Sequence, residues 1–414
     1  MQAQTIDEIY RTVIPDDPVS PDSPHYVNLN AARGEDLDLA SQIAKIIRSA
    51  PAGNFHRHLV TGHRGSGKST ELNSLKAKLE RENFLVVVLD VEKTLDVADI
   101  EYLDLIVAAT GQIGMAAREK GITVDERLLD NIGQWFAQTV VVSDVGESVE
   151  HRLDVSLGVD APLLLRLLAI VTGQIKSGSS TREETRRTLE NRLGELISRV
   201  TEYINDVTVR LQNKDYKGLV LIVDSLEKMP LKAISEQITN HSQLFIEHAE
   251  QLKSLPCHTI YTVPVSLLHE RNLGIYTNFD LIPMVSINKP EGQPYQPGKD
   301  LLYEAVEKRI NITKLFERAD LVYRLVNKSG GVIRDLMRLL LFAATYTPDD
   351  QAKISEKAVE SAIRKLVREY DLLIHQDDLE ILVKVPGSPH LAISRELARM
   401  MYNRLVLGYI NGDN

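Results

Sequence analysis

Eight consecutive residues, Gly62-His63-Arg64-Gly65-Ser66-Gly67-Lys68-Ser69, carry the densest chemical signal in this 414-residue chain. Their spacing is G-x-x-x-x-G-K-[ST], a pattern in which a loop between a strand and a helix wraps phosphates. Phosphates carry dense negative charge. The loop answers with backbone N–H groups, which glycines at 62, 65 and 67 let approach closely. The N-terminus of the following helix adds partial positive charge. Ser66 and Thr70 complete the expected nucleotide contacts. Lys68 is expected to reach the β- and γ-phosphates, and the Ser69 hydroxyl to ligate Mg²⁺, an ion that keeps several waters and takes few protein ligands.

Four further residues stand where they can serve the same chemistry. Asp224 closes the apolar run Gly218-Leu-Val-Leu-Ile-Val, and a carboxylate there can hold the magnesium through water. Glu227 lies three residues on and can polarise an attacking water as general base; its alternative role is a charge early in a helix. Thr262 ends the apolar run HTIYT and can touch the γ-phosphate or the water. Arg334 follows Gly330-Gly331 at the start of a helix, where it can report the γ-phosphate; its alternative is a pair with an acid such as Asp335. The chain has no H-E-x-x-H, C-x-x-C or G-x-S-x-G, and its histidines are scattered, so His56 and His58 read as structural.

The elements that must position these residues are legible in outline. His58-Leu-Val before the loop, leucines at 72, 75 and 79 after it, and Phe84-Leu-Val-Val-Val-Leu beyond predict strand, helix, strand, the βαβ unit of a parallel sheet. The 218–224 run, 258–263 and 279–287 predict further strands, and the proline-rich stretch 290–297 a loop that closes the core. Leu37, Leu39, Ile43, Ile46 and Ile47 predict a helix. The interval between Lys68 and Asp224 is longer than a minimal core needs, so 122–212 reads as an inserted accessory element. Within it, alternation at Leu153, Val155, Leu157 and Val159 predicts a strand. One long helix is expected over 181–212, with a core-facing stripe at Leu189, Leu193, Leu196, Val200, Tyr203 and Val207. Helices are expected at 299–310, 319–328 and 332–345, then helices with short strands over 353–412.

Composition bounds the function. Hydrophobic residues at 43% and charged residues at 26% fit a globular chain with a sizeable core. A net charge of −10 argues against a surface given over to nucleic acid. The single cysteine, Cys257, excludes intrachain disulfides and thiolate zinc sites. MQAQTIDEIY has no basic region followed by an apolar core, so no signal peptide is expected, and no apolar run is long enough for a membrane span; a cytoplasmic chain is the expectation.

Together, TGHRGSGKST, LIVDSLEK, TIYTVP and SGGVIRDLMRLL occur in the order found in AAA+-like ATPases. The chain resembles most the signal-transduction branch called STAND and the archaeal initiator-like ATPases near it. The resemblance covers roughly residues 54–92 and 216–412. It implies an α/β fold: a three-layer P-loop NTPase core with a parallel sheet (54–121 and 213–298), a helical lid (299–350) and a C-terminal winged-helix-like domain (351–414), after an N-terminal segment (1–53). By this likeness Lys68 and Ser69 match the Walker A residues, Asp224 the Walker B aspartate, Thr262 the first sensor and Arg334 the second. Three positions depart from the pattern: Ser225 directly after Asp224, Val263-Pro264 after Thr262, and Ile333 before Arg334. They point to a slow switch rather than a processive motor. The cofactors implied are ATP and Mg²⁺, and the partners implied are further copies of the chain and a separate effector protein, as in bacterial anti-phage systems. The alternatives are a DNA-binding loader, using Arg395, Arg399 and Arg404, and a scaffold that nucleotide merely stabilises.

Overall fold

The structure is a computed structural model that describes residues 2–34, 38–140, 162–177, 179–235, 238–270, 273–290, 292–385 and 393–409. The expected strand over 153–159 and Leu37 lie outside the described residues.

Five strands form one all-parallel sheet: β1 (Arg57–Thr61), β2 (Phe84–Asp90), β3 (Gly218–Asp224), β4 (His258–Val263) and β5 (Asn278–Leu281), in the order β2-β3-β4-β1-β5. The near-continuous apolar runs are what a sheet covered on both faces requires. Successive side chains point to opposite faces. Leu219, Leu221 and Val223 of β3 therefore join Leu85, Val87 and Leu89 of β2 in one core. Val220 and Ile222 join Val86, Val60 and Ile260 in the other. The second core is closed by helices Leu39–Ser49 and Lys68–Arg81, and the first by helices Tyr102–Glu119 and Leu193–Gln212. The result is a three-layer α/β arrangement.

β5 is shorter than the expected 279–287 strand and stops before Pro283, which has no N–H for a ladder. The chain beyond it satisfies its amides elsewhere: Met284 donates to the Gly408 carbonyl at 3.4 Å and Ser286 to the Ala32 carbonyl at 2.7 Å.

The expected single helix over 181–212 is two, Ser179–Glu190 and Leu193–Gln212, broken at Asn191-Arg192. The two halves answer to different partners. Arg182 binds Asp96 and Asp99 at 2.9 and 2.6 Å, and Arg186 binds Asp99, Glu101 and buried Asp104. These pairs fix the first helix to the segment after β2, since buried charge must be paired. The second helix instead lays Leu196, Val200, Tyr203, Ile204, Val207 and Leu211 into the sheet's core. The 193–212 helix is thus a covering layer of the sheet, while helices Glu126–Val140, Leu163–Ser177 and Ser179–Glu190 extend the same core outward.

A further core joins the chain's beginning to its last third. Ile9 and Val13 pack with helices Gln296–Glu307, Asp320–Lys328, Ile333–Thr345 and Glu356–Asp371. Ala3 and Ile310 form a parallel bridge. The N-terminal segment is therefore divided: its first part packs into the helical unit, and helix Leu39–Ser49 covers the sheet. Residues 351–409 supply helices Glu356–Asp371, Leu379–Lys384 and Arg395–Tyr402; among the described residues there, only the single bridge of Ile354 with Phe316 is strand-like. The 356–371 helix packs on the 333–345 helix, whereas Leu397 and Met401 pack on Val265 just beyond β4. No helix among the described residues is long and apolar enough to cross a membrane.

Because the 193–212 helix is integral to the sheet, Leu211→Ala should lower the stability of the whole α/β unit by about 2–5 kcal/mol. Urea unfolding followed by far-UV circular dichroism measures this. A main transition at the wild-type midpoint would mean that the helix is an independent appendage.

Candidate functional site

The expected site residues meet at the C-terminal edge of the sheet, where ligands of open α/β sheets bind. The strand order brings this about. β4 lies beside β1, with Thr262 opposite Val60, and β3 lies next, with Asp224 at its tip. Residues far apart in sequence thus end on one rim, facing the loop that follows β1.

In that loop Gly65 and Gly67 have φ of +82° and +95°. A Cβ on Gly65 would come within 2.6 Å of the Arg334 Cβ, and one on Gly67 within 2.9 Å of the Arg33 guanidinium. Only glycine fits this backbone and these contacts. Buried Arg33 binds the Ser66 carbonyl and Glu71, the latter at 2.7 Å, so it grips the loop from behind. The helix then begins at Lys68.

Lys68 is 3% exposed. Its ammonium donates to the carbonyls of Gly62 and His63, each at 2.9 Å, and stands 3.5 Å from the Glu227 carboxylate. Burial pushes its pKa down, against the pull of Glu227 and Asp224. Glu227 reaches the lysine because Ser225 turns the chain with φ of +72° and a 3-10 turn, Leu226–Lys228, follows. Burial disfavours the Glu227 charge, yet Lys68 and the Thr262 hydroxyl hold its pKa below the usual carboxylate value. Burial, then the neighbouring Glu227 charge, push the Asp224 pKa up, although Ser69 and the Ser225 amide bond to it. Thr262 also accepts the Leu226 amide at 3.2 Å, tying β4 to the Glu227 turn.

Arg334 is the second residue of helix Ile333–Thr345, and its amide faces the Gly65 carbonyl at 3.5 Å. Its guanidinium pairs with Asp16 at 2.6 Å rather than with Asp335, which is taken by Arg338 and Arg404 at 3.2 and 3.0 Å. The cleft is lined by Gly65, Gly67, Lys68, Ser69, Thr70, Glu227 and Arg334, by the segment from Ile14 to Val19, and by Lys228, Arg309, Ile333 and Met337. Three buried polar atoms here lack a partner within the chain: Ser66 Oγ, Glu227 Oε2 and Arg334 Nε.

The sequence reading missed the loop's fixation from the far side. Fully buried His63 bonds through Nδ1 to the Met401 carbonyl at 2.9 Å, and its Nε2 accepts the Gly408 amide at 2.7 Å. It is therefore a neutral ring protonated at Nδ1. Arg64 stacks over Tyr402 at 4.6 Å and donates to the Lys228 carbonyl at 2.7 Å, while Tyr402 donates to the Met229 carbonyl at 2.6 Å. Tyr409 donates to the Gly330 carbonyl at 2.6 Å. The C-terminal segment thus clasps the loop, the Glu227 turn and the helical unit together. His63 and Arg64 occupy unconstrained positions of the motif, and Asp16 lies in proline-rich punctuation, so pattern alone gave no sign of them. Arg399 pairs with Asp378, and Arg404 with Asp335. His56 and His58 bond to each other at 3.1 Å as structural residues. No protein-family model matches this chain, and no curated protein matches it.

Burial lowers the His63 pKa to about 4 from its ordinary 6.5. Above pH 6.5 the ring is neutral whether folded or unfolded, and its contribution to stability is fully present. Between 6.5 and 4 the unfolded chain takes up the proton first, so stability falls as pH falls, by up to about 1.4 kcal/mol per pH unit for one group. Urea midpoints measured from pH 7 to 4.5 should decline, and His63→Gln should flatten part of that decline. Equal slopes for the two proteins would mean that His63 does not titrate with folding.

Proposed function

We propose that this chain is an ATP-binding, slowly hydrolysing molecular switch of the AAA+/STAND-like kind. The observation that carries the reading is the convergence, on one cleft, of the glycine loop with Lys68, Ser69, Glu227 and Arg334, backed by Asp224 and Thr262, which act on Lys68 and Glu227 from beside it. The residues fit a magnesium nucleotide. The positive-φ glycines allow close backbone approach, and the partnerless Ser66 Oγ, Glu227 Oε2 and Arg334 Nε are polar atoms left for a ligand.

In this reading the loop from Gly62 to Thr70 is a phosphate-binding P-loop. Its amides and Lys68 hold the phosphates, with Lys68 exchanging the Gly62 and His63 carbonyls for phosphate oxygens. Ser69 and Asp224 would hold Mg²⁺, which supplies charge neutralisation to the phosphates when bound. Glu227 orients the attacking water and accepts its proton, with Thr262 fixing the carboxylate. Arg334, from the helical lid, answers to the γ-phosphate. Nucleotide would then bias the arrangement of core, lid and the C-terminal segment, and so control assembly with further copies or a separate effector. Residues 351–414 are the proposed winged-helix-like domain, with helix Glu356–Asp371 packed against the helical unit. The DNA-loader reading draws less support, because Arg399 and Arg404 are both committed to carboxylates within the chain.

Lys68→Ala should abolish or strongly weaken ATP binding, measured by calorimetry on the folded protein; unchanged affinity would remove the cleft as the site. Glu227→Gln should keep ATP and Mg²⁺ binding while slowing single-turnover hydrolysis by about 10²- to 10⁴-fold, since Gln keeps the shape and loses the proton acceptor. Hydrolysis at the wild-type rate would reject Glu227 as base. ATP-dependent assembly without DNA would support the switch, and salt-sensitive DNA binding would favour the loader.

A further inference from the structure

Residues 14–19 form a strap across the cleft. Pro15 and Pro18 stiffen it, and its end is fastened beside the metal-binding position, where the Val19 amide donates to Thr70 Oγ1 at 3.3 Å. Between the prolines, Asp16 Oδ1 meets the Arg334 guanidinium at 2.6 Å. Asp16 is 71% exposed as a side chain, so the carboxylate is free to leave, while Arg334 is 21% exposed and stays by the loop.

The cleft's other cations are differently committed. Lys68 is bonded to its own loop, Lys228 is paired with Glu92, and Arg309 donates to the carbonyls of His25 and Ala305 at 3.2 and 2.8 Å. Arg334 alone among them combines an exposed carboxylate partner with a buried donor, Nε, that has no partner at all. A guanidinium binds a carboxylate and a phosphate through the same fork of donors. The two anions are therefore interchangeable on Arg334.

We propose that Asp16 is an internal competitor for Arg334 that selectively weakens the site's hold on nucleoside triphosphates and leaves its hold on diphosphates unchanged. The inference rests on the nucleotide reading above. A diphosphate held by the loop leaves the Asp16–Arg334 pair intact. A triphosphate brings a third anionic group, which takes Arg334 and releases Asp16. The cost of breaking the pair falls on the triphosphate alone. The strap is thereby the element that registers the terminal phosphate, and it leads directly into the N-terminal helix Ile6–Thr12 of the helical unit.

The test compares ATP and ADP affinities of the full chain with those of Asp16→Asn, Asp17→Asn, Arg334→Gln and the Asp16→Asn/Arg334→Gln double variant, by calorimetry with Mg²⁺. Asp16→Asn should tighten ATP binding about two- to five-fold, the scale of a largely exposed ion pair, and leave ADP unchanged. In the Arg334→Gln background the same substitution should no longer change the ratio. Asp17→Asn removes an equal charge from the strap without touching Arg334 and should shift both nucleotides alike. Equal tightening of ATP and ADP by Asp16→Asn would overturn the proposal in favour of simple charge repulsion. Unchanged affinities for both nucleotides would overturn it outright while leaving the nucleotide site standing. A wild-type protein that binds neither nucleotide would overturn the site itself and this inference with it.

Discussion

A buried ammonium group governs this molecule. Lys68 lies at the edge of the sheet, almost wholly removed from water, and a buried charge is tolerated only when it is paired and hydrogen-bonded. Its partners come from three places in the chain: two carbonyls of its own loop, the carboxylate of Glu227, and the field of Asp224. Each partner needs support in turn. Glu227 depends on Thr262 and thus on β4, and Asp224 depends on Ser69 and the Ser225 amide. A parallel sheet of this strand order satisfies them together, because it puts β4 between β1 and β3.

The loop's side chains and carbonyls on the side away from the cleft are satisfied by other parts of the chain. Arg33 takes the Ser66 carbonyl, His63 takes Met401 and Gly408, and Arg64 takes Lys228 and Tyr402. These grips come from the N-terminal segment, the C-terminal segment and the Glu227 turn. The parts of the chain outside the sheet are therefore joined by hydrogen bonds to this one loop. On the proposed reading, a ligand that shifted the loop would bias residues 401–408, and the converse would hold by reciprocity of coupling.

Pattern reading recovered what repeats or alternates. The apolar runs of β1 to β4 are long enough to specify buried parallel strands, and the stripe from Leu189 to Val207 faces a core as its spacing required. The loop motif and the strand-end carboxylate were legible as neighbours on one rim because their spacing to Lys68 and to a strand end is local. What escaped was non-local. The break at Asn191-Arg192 separates a helix held by ion pairs to residues near 100 from one buried against the sheet, partners that no periodicity in 181–212 encodes. The N-terminal proline-rich stretch reads as punctuation, yet it crosses the cleft because Ala3 and Ile9 are anchored in the helical unit. His63 and Arg64 escaped because a motif constrains only the residues that face the phosphate.

The turn after Asp224 bears on rate. Ser225 stands directly after the aspartate, and Glu227 reaches Lys68 through the left-handed backbone of Ser225 and the 3-10 turn that follows. Such a conformation in a non-glycine residue costs on the order of 1–3 kcal/mol and persists where its surroundings over-determine it. Here the surroundings are the Ser225 amide on Asp224, the Leu226 amide on Thr262, and the Arg64 grip on the Lys228 carbonyl. The geometry so held also sets the chemistry. With its pKa kept low by Lys68, Glu227 retains its charge near neutral pH but has little drive to take a proton from water. A base works best when its pKa lies near the working pH. On the proposed reading, then, the ion pair that stabilises the cleft opposes fast turnover, and the same contact that makes Lys68 tolerable in the core favours a switch that lingers in its triphosphate form.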